Sequence, residues 1–227
     1  GSYDIILPKF QKLVQKRGDG QYYVRGTFTK YNKDFTNDVL HFFEKGFEQI
    51  SIEPVVTDPK LPYALTEEDL PEVFAEYEKL AKVIIEKRKN GEFFNFFHFM
   101  IDLDQGPCAI KRLRGCGCGN EYVSVTPEGD VYPCHQFVGK KEWIMGSVND
   151  LSLNTEIKDS FAKTTVYTKP ECRTCWAKFY CSGGCNANNL EYAGAIKKPY
   201  KLACDLEKKR LECAIMIKAA LADLEIE

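Results

Sequence analysis

Apolar residues Ile5, Ile6, Phe10, Leu13 and Val14 recur at the three- and four-residue spacing of a helix face, and Gly18-Asp19-Gly20 stops the pattern. From Gln21 to Thr29 aromatic and β-branched residues take over, which predicts a strand. Asn37 to Lys45 returns to helical spacing, with Gly46 placed as a C-terminal cap. Gln49 to Val56 reads as a second strand and runs into a Pro-rich loop. A strand–helix–strand unit of this length predicts a parallel pair with a right-handed crossover. Thr66-Glu67-Glu68-Asp69 then resembles a capping box, with Asp standing where Glu or Gln is usual. The helix that follows is expected to reach Lys89, closed by Asn90-Gly91. The run Phe93 to Met100 reads as a buried core helix or strand, which makes His98 a core or boundary residue rather than a ligand.

Beyond residue 105 the pattern changes, and we expect two parts, residues 1–105 and 106–227. Elements in the second part are shorter. Tyr122 to Val125, a turn containing Gly129, and Val131-Tyr132 predict a hairpin that delivers Cys134. Cys213 lies on an Ala/Ile-rich C-terminal helix and reads as a buried apolar side chain. The first part holds one strand–helix–strand unit with flanking helices, which is an incomplete α/β barrel. Its parallel edge would stand open, which proteins normally avoid. The natural protein is therefore expected to be longer at its N-terminus, or the edge to pair with another chain.

Composition narrows the function. A formal net charge of −2 over 227 residues gives no reason to expect a polyanion, so nucleic acid is not an expected partner. No apolar run approaches the roughly 18 residues of a spanning helix, and no targeting peptide opens the chain, so a cytoplasmic protein without a membrane partner is expected. All ten cysteines fall after residue 107: Cys108, Cys116, Cys118, Cys134, Cys172, Cys175, Cys181, Cys185, Cys204 and Cys213. Disulfides suit small secreted domains without a core. This chain is 44% hydrophobic and can build a core, so reduced, metal-binding cysteines fit better.

From Cys172 the spacing is C-x2-C-x5-C-x3-C, ending at Cys185, with Cys204 further on. A C-x2-C pair lets one short turn present two sulfurs to one metal. Gly183 and Gly184 permit the tight backbone that turns Cys185 away from Cys181. Soft thiolates at one point suit either zinc or an iron–sulfur cluster, and the spacing leaves both open. The count exceeds a single tetrahedral site and predicts more than one metal centre.

The pattern Cys118-x10-Gly129-x4-Cys134, then C-x2-C-x5-C-x3-C, then Cys204, resembles the SPASM domain of radical S-adenosylmethionine (SAM) enzymes; Cys116 satisfies a looser first gap. The likeness extends to Gly129-Asp130-Val131-Tyr132-Pro133-Cys134 and to Phe179-Tyr180-Cys181-Ser182-Gly183-Gly184-Cys185, and spans about residues 106–215. Within that superfamily, Gly115-Cys116-Gly117, Asn120-Glu121-Tyr122 and Ser51-Ile52-Glu53-Pro54-Val55-Val56 look similar to the maturases of the peptide called "six cysteines in forty-five residues". Other SPASM maturases and the anaerobic sulfatase-maturing enzymes are the alternatives, and a non-catalytic metal module for peptide binding or electron transfer is a further one.

The resemblance implies an α/β fold: the C-terminal part of a partial (β/α)6 radical SAM barrel, followed by an α+β SPASM domain with two auxiliary [4Fe–4S] clusters. It implies that Cys172, Cys175, Cys181 and Cys204 hold the outer cluster, and that Cys134 and Cys185 hold the inner one with Cys116 or Cys118. The fourth inner ligand stays open between Cys118, Cys116, Cys108 and a substrate thiolate. Trp176 and Tyr180, lying between ligands, are expected to shield the cluster from water. Both faces of a parallel strand are usually buried, so charges there ask for partners. Arg25 is placed to meet the carboxylate of SAM or the substrate, and Glu53 its ammonium end; a strand-end charge or a structural ion pair is the alternative for each. The implied activity is thioether formation between a cysteine sulfur and a threonine α-carbon in a cysteine-rich precursor peptide, with flavodoxin or ferredoxin as electron donor. The C-x3-C-x2-C motif that would hold a third, SAM-binding cluster does not occur in these residues, so the chain by itself is expected to be inactive.

Overall fold

The computed structural model describes residues 1–18, 20–103, 106 and 108–222. They form two compact units, one made of Gly1–Ile101 with the chain from Lys208 onward, the other of Asp102–Glu207.

The first unit opens with helix α1 (Tyr3–Arg17) and strand β1 (Val24–Phe28), followed by α2 (Phe35–Glu44) and β2 (Gln49–Pro54). The predicted strand–helix–strand unit is present, and β1 and β2 pair in parallel. A short 3-10 turn, Glu67–Asp69, leads into α3 (Leu70–Lys89). The capping box works with Asp69 because its carboxylate accepts from both the backbone N–H and the hydroxyl of Thr66, each at 3.0 Å. Strand β3 (Asn95–Phe96) adds to β2, again in parallel, giving the order β1-β2-β3.

The sheet is two-faced, which corrects the expectation of burial on both sides. Ile50, Ile52, Phe28 and Phe96 form the apolar face and are buried with Phe35 and Val39 of α2 and Val73, Tyr77, Leu80 and Ala81 of α3. Phe35 stacks on Phe28 with ring centroids 4.5 Å apart and lies 4.8 Å from Tyr77. The register sets Arg25 beside Ser51 and Thr27 beside Glu53, so these four share the other, polar face. The aromatic run is neither one helix nor one strand. After β3 the chain tightens into a 3-10 turn, Phe97–Phe99; Phe94, Phe96 and Phe99 are buried while Phe93, Phe97 and Met100 are exposed. The apolar stripe of α1 is also exposed: none of its residues is buried, and Ile5 is 61% accessible.

The second unit is built from short pieces. Helix α4 (Ala109–Arg112) precedes a four-stranded antiparallel meander, β4 (Ser124–Val125), β5 (Asp130–Tyr132), β6 (Gly146–Ser147) and β7 (Ser152–Leu153). The predicted hairpin is β4–β5, and its turn closes with a hydrogen bond from Gly129 N–H to Thr126 O at 3.0 Å. Helices α5 (Thr155–Ala162), α6 (Pro170–Arg173), α7 (Lys178–Cys181) and α8 (Asn186–Ala193) follow. The long α9 (Lys201–Ala222) carries Cys204 in the second unit and, past Lys208, Cys213 in the first, where it is buried as expected.

Candidate metal centre

The apolar core of the second unit contains sulfur. Cys118 and Cys134 are buried with Tyr132, Phe137, Phe161, Ala187 and Ile196. Cys118 lies in the loop Gly115-Cys116-Gly117-Cys118-Gly119. Gly119 has φ +75°, and a Cβ there would stand 2.5 Å from Phe161 Cγ, so only glycine lets this loop lie flat on the core. Its N–H is shared between the carbonyls of Tyr122 and Pro133, which fastens the loop beside the Cys134 turn. Cys134 ends the β5 hairpin and starts a 3-10 turn, accepting from Phe137 N–H at 3.0 Å.

Two groups of cysteines emerge. The Cys118 thiol donates to Cys116, which holds Cys116 below and Cys118 above the usual thiol range. Burial raises Cys134, and the neighbouring Cys185 and Cys116 raise it further. Cys116, Cys118, Cys134 and Cys185 are therefore electrostatic neighbours. Polar side chains point at two of these sulfurs: Asn186 Nδ2 donates to Cys118 Sγ at 3.6 Å and Gln136 Nε2 to Cys185 Sγ at 3.8 Å. In the second group, Cys172 closes the first turn after Lys169 and its carbonyl accepts from Cys175 N–H at 3.1 Å. Burial pushes the Cys181 thiol up to about 11, with Glu207 and Cys172 adding to the rise; the N–H groups of Gly183 and Gly184 point at its sulfur and oppose it. Gly183 and Gly184 have φ +82° and +73°, the left-handed backbone expected of them. Cys204 sits on the first turn of α9.

All ten cysteines are free thiols, and the described ones make no disulfide. Among the described residues no three Cys, His, Asp or Glu side chains close on one point tightly enough to grip a single ion. A tetrahedral zinc would need four sulfurs about 2.3 Å from one centre. A cluster is wider than a single ion and is gripped at its corners by thiolates. The fit to iron–sulfur thus rests on donor type, on free thiols in two groups, and on amide donors already aimed at sulfur.

Trp176 is 53% exposed. Cys108 is exposed at the start of α4, apart from the buried sulfurs. Sequence reading also missed Lys169, Gln136 and Asn186. Asn186 directly follows Cys185, which is the one signal that could have flagged it. Lys169 carries no signal beyond preceding Pro170, yet it is buried, its ammonium bonded to Gly183 O at 2.7 Å and Asn186 Oδ1 at 2.9 Å.

In the first unit, Arg25 and Glu53 form an ion pair on the polar face of the sheet, where their side chains are 64% and 40% exposed. The paired alternative is the one present. His98 Nε2 lies 3.9 Å from Glu53 Oε1 and 3.3 Å from Ser51 Oγ. Burial, with the charges of Arg210 and Arg25, drops the His98 pKa to about 3, so the ring is neutral. It is a boundary residue, as expected, but one that joins the polar patch.

Residues 116–176 match the SPASM family profile, described as an iron–sulfur cluster-binding domain. That description names iron–sulfur, one of the two alternatives the spacing leaves open. The whole chain shares its mixed α/β fold with radical SAM/SPASM enzymes. It is similar to the anaerobic sulfatase-maturing enzyme anSMEcpe in its native form with bound AdoMet, at 18% identity and a TM-score of 0.67, covering 96% of this chain and 62% of that one. It is also similar to the same enzyme with AdoMet and the Kp18Cys peptide, at 20% identity and a TM-score of 0.61, covering 96% and 61%. The chain therefore spans about three-fifths of the length of these structures. No curated protein sequence matches it.

Proposed function

We propose that this chain is the auxiliary-cluster part of a radical SAM peptide maturase. Residues 1–105 are the closing portion of a partial (β/α)6 barrel, and residues 106–227 are a SPASM domain with two auxiliary [4Fe–4S] clusters. The observation that supports this reading is a set of patterned, disulfide-free cysteines in one unit, with Cys116, Cys118, Cys134 and Cys185 as neighbours, Cys172 near Cys181, and Cys118 and Cys134 in the core. Cys172, Cys175, Cys181 and Cys204 hold the outer cluster. Cys134, Cys185, Cys116 and Cys118 hold the inner one, with Cys108 as a further candidate for its fourth ligand.

A third [4Fe–4S] cluster with bound SAM, held by residues other than these, supplies the radical chemistry. The side chains of the two units do the rest. Arg25 and Glu53 lie on the polar sheet face, ready to exchange their mutual ion pair for the carboxylate and ammonium of SAM or for the peptide. The substrate is a cysteine-rich precursor peptide, and the product a thioether from cysteine sulfur to a threonine α-carbon. That bond removes one α-hydrogen atom, one thiol proton and one electron. The auxiliary clusters that these cysteines would hold would supply an electron acceptor, and flavodoxin or ferredoxin would serve as reductant for the reaction as a whole. A second reading, maturation of a sulfatase, is favoured by the likeness to anSMEcpe, which has been solved with bound peptide.

Anaerobic reconstitution tests the reading. Two four-iron clusters require about eight irons and eight sulfides per chain. Cys172→Ala should remove the outer cluster and largely spare the inner one, and Cys134→Ala the reverse. Stoichiometric zinc with little iron would sink the proposal, and equal loss from both clusters in each variant would overturn the ligand assignment. Joined to a barrel start that carries C-x3-C-x2-C, the protein should take two hydrogens' mass from a cysteine-rich peptide in preference to a sulfatase-derived one.

A further inference from the structure

Lys169 is an ammonium in an unusual place. Its side chain is among the largest fully buried ones in the protein, and the residue is 2% exposed. Among the described residues no carboxylate pairs with it. Its donors go instead to Gly183 O at 2.7 Å and Asn186 Oδ1 at 2.9 Å. A Cβ on Gly183 would come within 3.2 Å of both Cδ and Nζ of Lys169, so the glycine makes room for this contact.

Each partner belongs to a cysteine loop. Gly183 lies between Cys181 and Cys185, and its own N–H points at the Cys181 sulfur. Asn186 follows Cys185, and its amide spends its oxygen on Lys169 and its Nδ2 on Cys118 Sγ at 3.6 Å. The ionisable neighbours of the ammonium are sulfurs, Cys172 and Cys181 first, then Cys118 and Cys185. A buried, unpaired cation is costly. Metal-bound thiolates are anions. Ligated cysteines would therefore supply the counter-charge that the buried ammonium lacks.

We propose that Lys169 is a positioning residue that ties the turn before Cys172 to the Cys181–Asn186 segment and sets the reduction potentials of both auxiliary clusters. Resting as it does on the cluster reading above, the role follows from electrostatics. A cluster on four thiolates is net negative and becomes more so on reduction. A fixed cation beside it in a water-poor site favours the reduced form and raises its potential, as do hydrogen bonds to its sulfurs. Asn186 extends the effect, because its orientation toward Cys118 is held by the ammonium.

The experiment is a redox titration of the anaerobically reconstituted protein, followed by electron paramagnetic resonance, with iron and sulfide counted in parallel. If the unaltered protein takes up no iron, the cluster reading fails before the question arises. If it loads, Lys169→Met should keep its iron while the midpoints of both clusters move to more negative values. Lys169→Arg, which keeps the charge, should stay near the parent values. Full iron with unchanged midpoints in Lys169→Met overturns the proposal. If that variant fails to load, Lys169→Gln decides: it keeps a donor for Gly183 O without the charge. Iron retained with both midpoints shifted supports the role, and iron retained with neither shifted overturns it. Loss of iron in Met and Gln with loading in Arg also supports a role for the charge. Loss in all three overturns it, leaving Lys169 as a matter of packing alone.

Discussion

The two units solve the problem of holding a fold in different ways. The first buries large apolar side chains between one face of a sheet and two helices; Phe28, Phe35, Val39, Ile50, Tyr77, Leu80 and Ala81 are each fully buried. The second has strands of two or three residues, helices mostly of four to eight, and a core that includes Cys118 and Cys134. Short elements bury little and propagate few backbone hydrogen bonds. Loops that cross a core need fastening, and here thiols add to a small apolar core that includes Phe137, Phe161 and Val166. The lesson is that the cysteine-free unit carries its stability in its apolar pattern, whereas the cysteine-bearing unit is expected to carry much of it in ligation.

Removing metal should separate the units most sharply. Chelation or oxidation of the reconstituted protein should strip hydrogen-exchange protection from residues 106–204 and leave residues 24–99 much less affected. Equal protection of the second unit with and without metal would refute its dependence on ligation.

A core deletion should do the opposite. Phe35 is fully buried and packs on Phe28 and Tyr77, so Phe35→Ala should cost the first unit about 3–5 kcal/mol. Denaturant unfolding should show that loss, while iron content stays at the parent value. A drop in iron equal to that of a cysteine variant would mean the two units do not stand independently.

Acid should weaken the first unit through His98. Its pKa falls from 6.5 to about 3 on folding, so below 6.5 the unfolded chain binds the extra proton and the folded one does not. Stability therefore falls with pH through the window from 6.5 to about 3, approaching about 1.4 kcal/mol per pH unit. His98→Gln should flatten that part of the curve. An unchanged slope in the variant would assign the acid sensitivity to other groups.

The smallest effect belongs to an ordinary cap in the second unit. Asn154 Oδ1 accepts from Glu156 N–H at 3.0 Å and Ile157 N–H at 3.2 Å at the start of α5. Asn154→Ala should cost about 1 kcal/mol in the metal-loaded protein, read as a modest shift of the thermal midpoint. A collapse of cluster content instead would show that α5 is tied to ligation more closely than its cap implies.

Much of this was legible in the chain because it depends on local rules. Periodicity placed α2, α3, β1 and β2 to within a few residues, and Gly46, Gly91, Gly183 and Gly184 all take the left-handed backbone their positions suggested. Cysteine spacing and its flanking residues pointed to SPASM, and residues 116–176 match that family. What local rules could not give was which groups face one another. Arg25 and Glu53 are far apart in sequence, and only the parallel register of β1 and β2 brings them onto one face as a pair. His98 looked like another member of an aromatic run until the 3-10 turn after β3 set it beside Ser51 and Glu53. Lys169 is the strongest case. A lysine before a proline predicts a solvated surface charge, since burial of an ammonium is unfavourable unless partners surround it. Those partners, Gly183 O and Asn186 Oδ1, come from a different turn of the chain, and only tertiary folding assembles them.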